Sequence, residues 1–160
     1  MSGFPAAEAD RRLANIIQMG RITAVDTATA RCRVAVGDLV TPPILWPAGQ
    51  AGADRSWWAP SVGDQVMIAA PSGDLAQAAV ISIYYQDGAP PPASDAAVSR
   101  TVYADGAVVE YDSGSSQFQI RIGTTSITAN GSAITLSCNG SILVLDAGGA
   151  LLNGQFVEIG

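Results

Sequence analysis

With neither histidine nor lysine in the sequence, acid–base chemistry would rest on fourteen carboxylates, eight arginines, two cysteines and four tyrosines, and a serine or threonine nucleophile would have no histidine or lysine base to activate it. The commonest general base and the Schiff-base nucleophile are therefore missing, and the sequence contains neither a Gly-x-Ser-x-Gly elbow nor a phosphate-binding loop. A pair of carboxylates could still hydrolyse a glycosidic bond, but Glu8, Glu110 and Glu158 lie in three different segments. Asp105-Gly106 and Asp112-Ser113-Gly114 do not continue into the alternating acidic ladder that holds calcium, so they are expected to be turns. Cys32 and Cys138 are too far apart for a metal knuckle or a redox pair, and both are expected to be buried thiols. We expect no catalytic residue, no metal, no cofactor and no enzymatic activity.

Binding chemistry is equally constrained. The formal charge is −6, and the arginines are scattered from Arg11 to Arg121 without the run that neutralises phosphates, so nucleic acid is not an expected partner. Asn130-Gly131-Ser132 and Asn139-Gly140-Ser141 satisfy the N-glycosylation pattern. The start of the sequence has no secretory signal, so the expectation is tight turns between short strands in a protein folded in the cytoplasm.

The elements that must position these residues fall into two textures. The protein has 160 residues, of which 48% are apolar, but 27 of those are alanines, so one or two small domains with a thin core are expected. All nine prolines lie at or before Pro92, and the last three sit in Asp87-Gly88-Ala89-Pro90-Pro91-Pro92. That composition predicts a stiff linker over 89–97. Before it, Leu13, Ile16 and Ile17 predict a short amphipathic helix within residues 1–20, ended by Gly20. Strand signals follow at 21–26, 30–36, around Ile44-Leu45-Trp46, 65–70 and 78–84, and five short strands within 21–88 suit a small closed barrel.

Residues 98–160 contain no proline, nine glycines and seven charged residues. Apolar residues alternate along the segment, at Phe118, Ile120 and Ile122, at Ile134 and Leu136, and at Leu143 and Leu145. Glycine recurs at Gly123, Gly131, Gly140 and Gly149, which sets strands of about five residues. Strands this short cannot bury their own apolar rows, and an isolated meander would leave open edges in water. Three copies around one axis solve both problems, with every strand edge paired to a neighbouring copy and the seven residues just named forming the trimer core. The expected fold is all-β, a barrel followed by an intertwined trimeric (triple-stranded) β-helix.

Trp57-Trp58-Ala59-Pro60-Ser61-Val62-Gly63-Asp64-Gln65-Val66, then Ala70-Pro71-Ser72-Gly73-Asp74-Leu75 and Val80-Ile81-Ser82-Ile83-Tyr84, resembles the N-terminal signature of the phage baseplate assembly protein V family, the central spikes of contractile tails. The resemblance covers roughly residues 13–88. It implies an OB-fold barrel docked on the tail hub, a homotrimeric β-helix that pierces the bacterial outer membrane, and a place in the virion baseplate. Trp57, Trp58, Pro60, Gly63 and Asp74 are the residues expected at the barrel's hub interface, with one tryptophan facing the core and its neighbour facing outward. Gly63 and Gly73 are expected in turns that need positive φ.

Relatives of this kind close the tip with a His-x-His pair from each protomer around iron, which a sequence without histidine cannot do. Phe156, Val157 and Ile159 are therefore expected to form an apolar tip covered by a separate protein or by residues absent from this sequence. The alternative from another class is an OB-fold module for single-stranded nucleic acid or a glycan, using the aromatic residues Trp46, Trp57, Trp58, Tyr84 and Tyr85. The absence of a basic groove disfavours it. A β-helical adhesin for a surface glycan would need a larger shaft than 63 residues can build.

Overall fold

The computed structural model describes residues 3–154, with side chains from Glu8 onward. It divides into two compact units on either side of the Pro90–Pro91 bond.

The first unit begins with helix α1 (Gly3–Ala14). Gly20 does not end it. The helix stops at Ala14, whose carbonyl accepts from the Gln18 side-chain amide at 2.8 Å, and strand β1 (Ile17–Asp26) starts three residues later. Gly20 sits inside β1, where a Cβ would meet Val34 Cγ1 at 2.5 Å and the Ala35 carbonyl oxygen at 2.6 Å. The missing side chain is what lets β1 come this close to the next strand.

The barrel is completed by β2 (Arg31–Val36), β3 (Leu39–Val40), β4 (Ile44–Leu45), β5 (Gln65–Ala69) and β6 (Ala79–Tyr84). β1 closes it: its first half pairs with β5 (Gly20 with Val66) and its second half with β2 (Val25 with Cys32). The sheet order is β1-β5-β6-β4-β2-β3, with β4 and β6 parallel and the other pairings antiparallel. Alternation along β2 and β5 turns Cys32, Val34, Val66 and Ile68 inward, where they meet Ile22, Ile44, Ala70, Ala78 and Val80. Thr41 is the buried polar residue of this core. Its Oγ1 accepts from the Val34 N–H at 3.0 Å, and its own N–H donates to the Val34 carbonyl at 2.9 Å. A barrel needs such a pair where β2 runs out of strand partner.

The second unit is a seven-stranded antiparallel meander of β7 (Val98–Val102), β8 (Val108–Asp112), β9 (Gln117–Ile122), β10 (Thr125–Ala129), β11 (Ala133–Cys138), β12 (Ser141–Asp146) and β13 (Gly149–Asn153), each strand paired with the next in sequence. The expectation that every strand edge pairs with another copy does not hold here. β8 to β12 are paired on both edges within one protomer, because turns such as Asn139-Gly140, with φ of 49° and 91°, reverse the backbone in two residues. Among the described residues, the outer edges of β7 and β13 have no strand partner.

The proline-rich stretch is held to the meander over part of its length. Arg100 Nη1 donates to the Pro92 carbonyl at 2.8 Å, and Ser113 donates through both its N–H and its hydroxyl to the Ala97 carbonyl, so residues 92–97 are strapped to the first hairpin of the meander. Arg100 is held in turn by the Glu110 carboxylate opposite it on β8. A carbonyl-rich, proline-bearing segment offers acceptors without donors, and the arginine fork supplies what it lacks.

Candidate interaction surfaces

Two surfaces stand out, one on each unit. On the barrel, residues 46–60 form a loop that carries all three tryptophans. Trp46 is half-buried and packs against the barrel core, and Trp57 meets it edge to face at 5.9 Å between ring centroids. Trp57 and Trp58 are 63% and 59% exposed. The expected split, one tryptophan in and one out, fails because residues 56–60 are not a strand and the two-residue alternation does not apply. Trp46, which spacing alone does not single out, takes the inward role.

The other expected interface residues lie close by but differ in what they do. Pro60 is buried, so it supports the loop from inside and offers no surface. Gly63 has φ of +98°, and its carbonyl accepts from Arg21 Nη1 and Gln86 Nε2, both at 3.1 Å. It is a turn residue, as is Gly73 with φ of +72°. Gly73 is also a close-approach site: a Cβ there would stand 2.4 Å from the Arg12 carbonyl oxygen, so the glycine seats α1 on the barrel.

Asp74 is exposed and caps the short 3-10 turn that follows. The Ala76 N–H donates to its Oδ1 at 2.9 Å and the Gln77 amide to its Oδ2 at 3.0 Å. Those bonds, helped by Arg12, hold its carboxyl below the ordinary aspartate range. On α1, Arg11 and Arg12 both donate to Glu8 and hold its carboxyl down at about 2. Tyr84 and Tyr85, the remaining aromatics of the barrel, are exposed, and the Tyr84 hydroxyl lies 3.7 Å from Met67 Sδ.

On the meander, the register brings all seven residues expected in the trimer core to one face. Ile127 is paired with Ile120 on one side and Leu136 on the other, Leu136 with Leu143, and Leu143 with Leu152. Ala129 is paired with Phe118 and Ile134, and Ile134 with Leu145; Ile122 continues the same face of β9. Directly paired residues share a face, so these are two parallel apolar rows, the first crossing β9 to β13 and the second β9 to β12. Both rows stay open to solvent in the single protomer: Ile134 is 44% exposed and Leu136 37%. Ile127 and Leu152 belong to this face although they are outside the expected set, and the pairing register is the signal that finds them.

Cys138 lies on this face beside Thr125, whose hydroxyl is 3.4 Å from its sulfur. It is exposed, contrary to expectation, because the face is open; Cys32 is buried in the barrel, and burial raises its thiol pKa. The opposite face carries Gln119, Arg121, Ser126, Thr128, Thr135 and Ser137 across the middle strands. Among the described residues no three His, Cys, Asp or Glu side chains are grouped to hold a metal ion. The expected tip residues Phe156, Val157 and Ile159 lie outside the described residues.

Residues 18–85 match the family of type VI secretion system and phage-baseplate injector OB domains. The protein is also 40% identical over 126 residues to a spike protein of Escherichia phage P2, a match that covers 78% of its own sequence. It spans 60% of the length of that relative.

Proposed function

The protein belongs to the phage-baseplate spike family, with the injector OB domain at residues 18–85, and from that premise we propose that it is the structural central spike of a contractile tail or tail-like injector. In this reading the barrel docks on the tail hub through the exposed Trp57 and Trp58, and three copies of the meander close their apolar faces around one axis as a trimeric β-helical shaft. The sheets pack against one another and do not interlace strand by strand. The shaft, carried in the baseplate of the particle, passes through the outer membrane of the target cell, and the protein works mechanically without catalysis.

The observation that carries this reading is the unequal burial of the two units. Of the ten buried apolar residues among those described, nine belong to the barrel and only Val108 to the meander. A sheet with two open apolar rows and no core of its own is stable in water only when something of matching shape covers it. A second and third copy supply that shape by symmetry. Light scattering after size exclusion is expected to give three times the 16.3 kDa protomer mass at micromolar concentration. A monomer there overturns the proposal.

A further inference from the structure

The meander contains three Asn-Gly steps, Asn130-Gly131, Asn139-Gly140 and Asn153-Gly154. Glycine after asparagine leaves the following backbone nitrogen unshielded, so it can reach the amide carbon of the asparagine side chain. We propose that Asn139 is a site of spontaneous deamidation, selected over the other two by its hydrogen bonding and assisted by the hydroxyl of Thr124.

In the reaction the Gly140 backbone nitrogen loses its proton to solvent base and attacks Asn139 Cγ. The new N–Cγ bond closes a five-membered succinimide, the Cγ–Nδ2 bond breaks, and Nδ2 leaves as ammonia. Water then opens the ring. Cleavage of the N–Cγ bond gives aspartate. Cleavage of the original peptide bond, between that nitrogen and the backbone carbonyl of residue 139, gives isoaspartate with the backbone rerouted through Cγ. Asparagine and water become a carboxylate and ammonium, with no change in oxidation state.

The surroundings of the three asparagines differ. Asn130 Oδ1 accepts three bonds, from the Ser132 N–H and hydroxyl at 2.9 Å each and from the Ala133 N–H at 3.0 Å. Turning that amide toward Gly131 would strip partners from two backbone donors. Asn153 is a ladder residue of β13, paired with Ile142. Asn139 stands in a two-residue turn between Cys138 and Ser141, and its Oδ1 accepts a bond from the Thr124 hydroxyl at 2.7 Å. A hydroxyl can rotate with its acceptor, so the amide turns without orphaning any backbone group. The same donor faces the oxygen on which negative charge develops during attack, the role of an oxyanion donor. Both turn residues have positive φ, and isoaspartate would add a backbone atom to a loop that has room for two residues. The pairing of Cys138 with Ser141 would then be lost.

The full-length protein is incubated in ammonia-free buffer at mildly alkaline pH, and peptides are mapped by mass spectrometry with isoaspartyl methylation as a second readout. Asn139 is expected to convert several-fold faster than Asn130 and Asn153 in the folded protein, with the three rates converging in concentrated urea. The Thr124→Val variant is expected to lose about three- to tenfold of the Asn139 rate, the worth of one neutral hydrogen bond. Asn130 or Asn153 converting as fast as Asn139 in the folded protein overturns the site assignment. An unchanged Asn139 rate in Thr124→Val overturns the part given to the hydroxyl.

Discussion

Leu136 and Ser137 are neighbours on one strand and point to opposite faces of the meander, so an aspartate at each separates the two faces in a single experiment. Leu136 lies between Ile127 and Leu143 in the apolar row, and 37% of its surface is still exposed in the single protomer. Full burial of a leucine side chain contributes about 1.5–3 kcal/mol, so covering the remaining third contributes about 0.5–1 kcal/mol per copy. Leu136→Asp loses that and adds a carboxylate that must be desolvated or protonated, at several kcal/mol for each unpaired charge. Three copies on one axis bring the total to roughly 10 kcal/mol, which matches the whole stability of an ordinary domain. Ser137→Asp falls between Ser126 and Ile142 on the other face and is expected to shift stability by no more than about 0.5 kcal/mol.

The assay is light scattering after size exclusion, with tryptophan fluorescence as the control for folding, since all three tryptophans lie in the barrel. Leu136→Asp is expected to run as a monomer with unchanged fluorescence, while Ser137→Asp keeps the mass of the parent. A trimeric Leu136→Asp, or loss of the trimer in both variants, refutes the assignment of the apolar face to the axis.

Within the barrel, Thr41→Val keeps the side-chain shape but leaves the Val34 N–H without its acceptor. It is expected to lower stability by about 1–3 kcal/mol in denaturant titrations and to speed exchange of that amide. Gly20→Ala drives a Cβ into Val34 Cγ1 and the Ala35 carbonyl, so in place of the usual gain from removing a strand glycine it is expected to cost about 1–3 kcal/mol; a neutral or stabilising result contradicts the close approach of β1 and β2. The Glu8 carboxyl is held at about 2 by Arg11 and Arg12, against an ordinary glutamate value of 4.5. A depressed carboxylate contributes fully above the higher value and loses its contribution as pH falls from 4.5 through 2, and salt should weaken it because the group is exposed. Carbon-detected titration of Glu8 that gives an ordinary glutamate midpoint rules the pairing out.

Period-two patterning identifies β2, β5 and β6 almost to the residue, because each has inward positions that are fully buried and alternation is the direct imprint of that burial. The same logic puts all seven residues expected in the trimer core on one face. It does not say how strands pair, since alternation specifies faces and leaves partners open. Partners are set by turn chemistry, and Asn139-Gly140 reverses the backbone onto itself. β3 is two residues long and has no pattern to detect. Gly20 misleads for a physical reason: a glycine that follows a helical pattern resembles a stop signal, and here its lack of a side chain serves the contact between two strands. Strand alternation misassigns Trp57 and Trp58 because they stand in a loop, and Trp46 becomes visible as an inward residue only through its packing against the barrel.

The two units also differ in how far apart in sequence their paired residues lie, and this bears on how a spike could assemble. Closing the barrel requires β1 to find β5, pairing Gly20 with Val66, whereas every pairing of the meander joins consecutive strands. Local hairpins form quickly and distant closures slowly, so the meander can acquire its hydrogen bonds before the barrel closes. Its apolar face gains nothing from that speed, because the rows stay open after every hairpin has formed. A sheet that forms early with two open edges and an uncovered face is exposed to pairing with the wrong partner until copies meet in register. The strap from Arg100 and Ser113 to the proline-rich segment fixes the first hairpin at the end nearest the barrel in sequence. Barrels held at a common site would therefore bring three shafts together at that end first. In the proposed trimer, packing that starts from one fixed end has a single alignment to propagate, and the apolar rows would close from β9 toward β13.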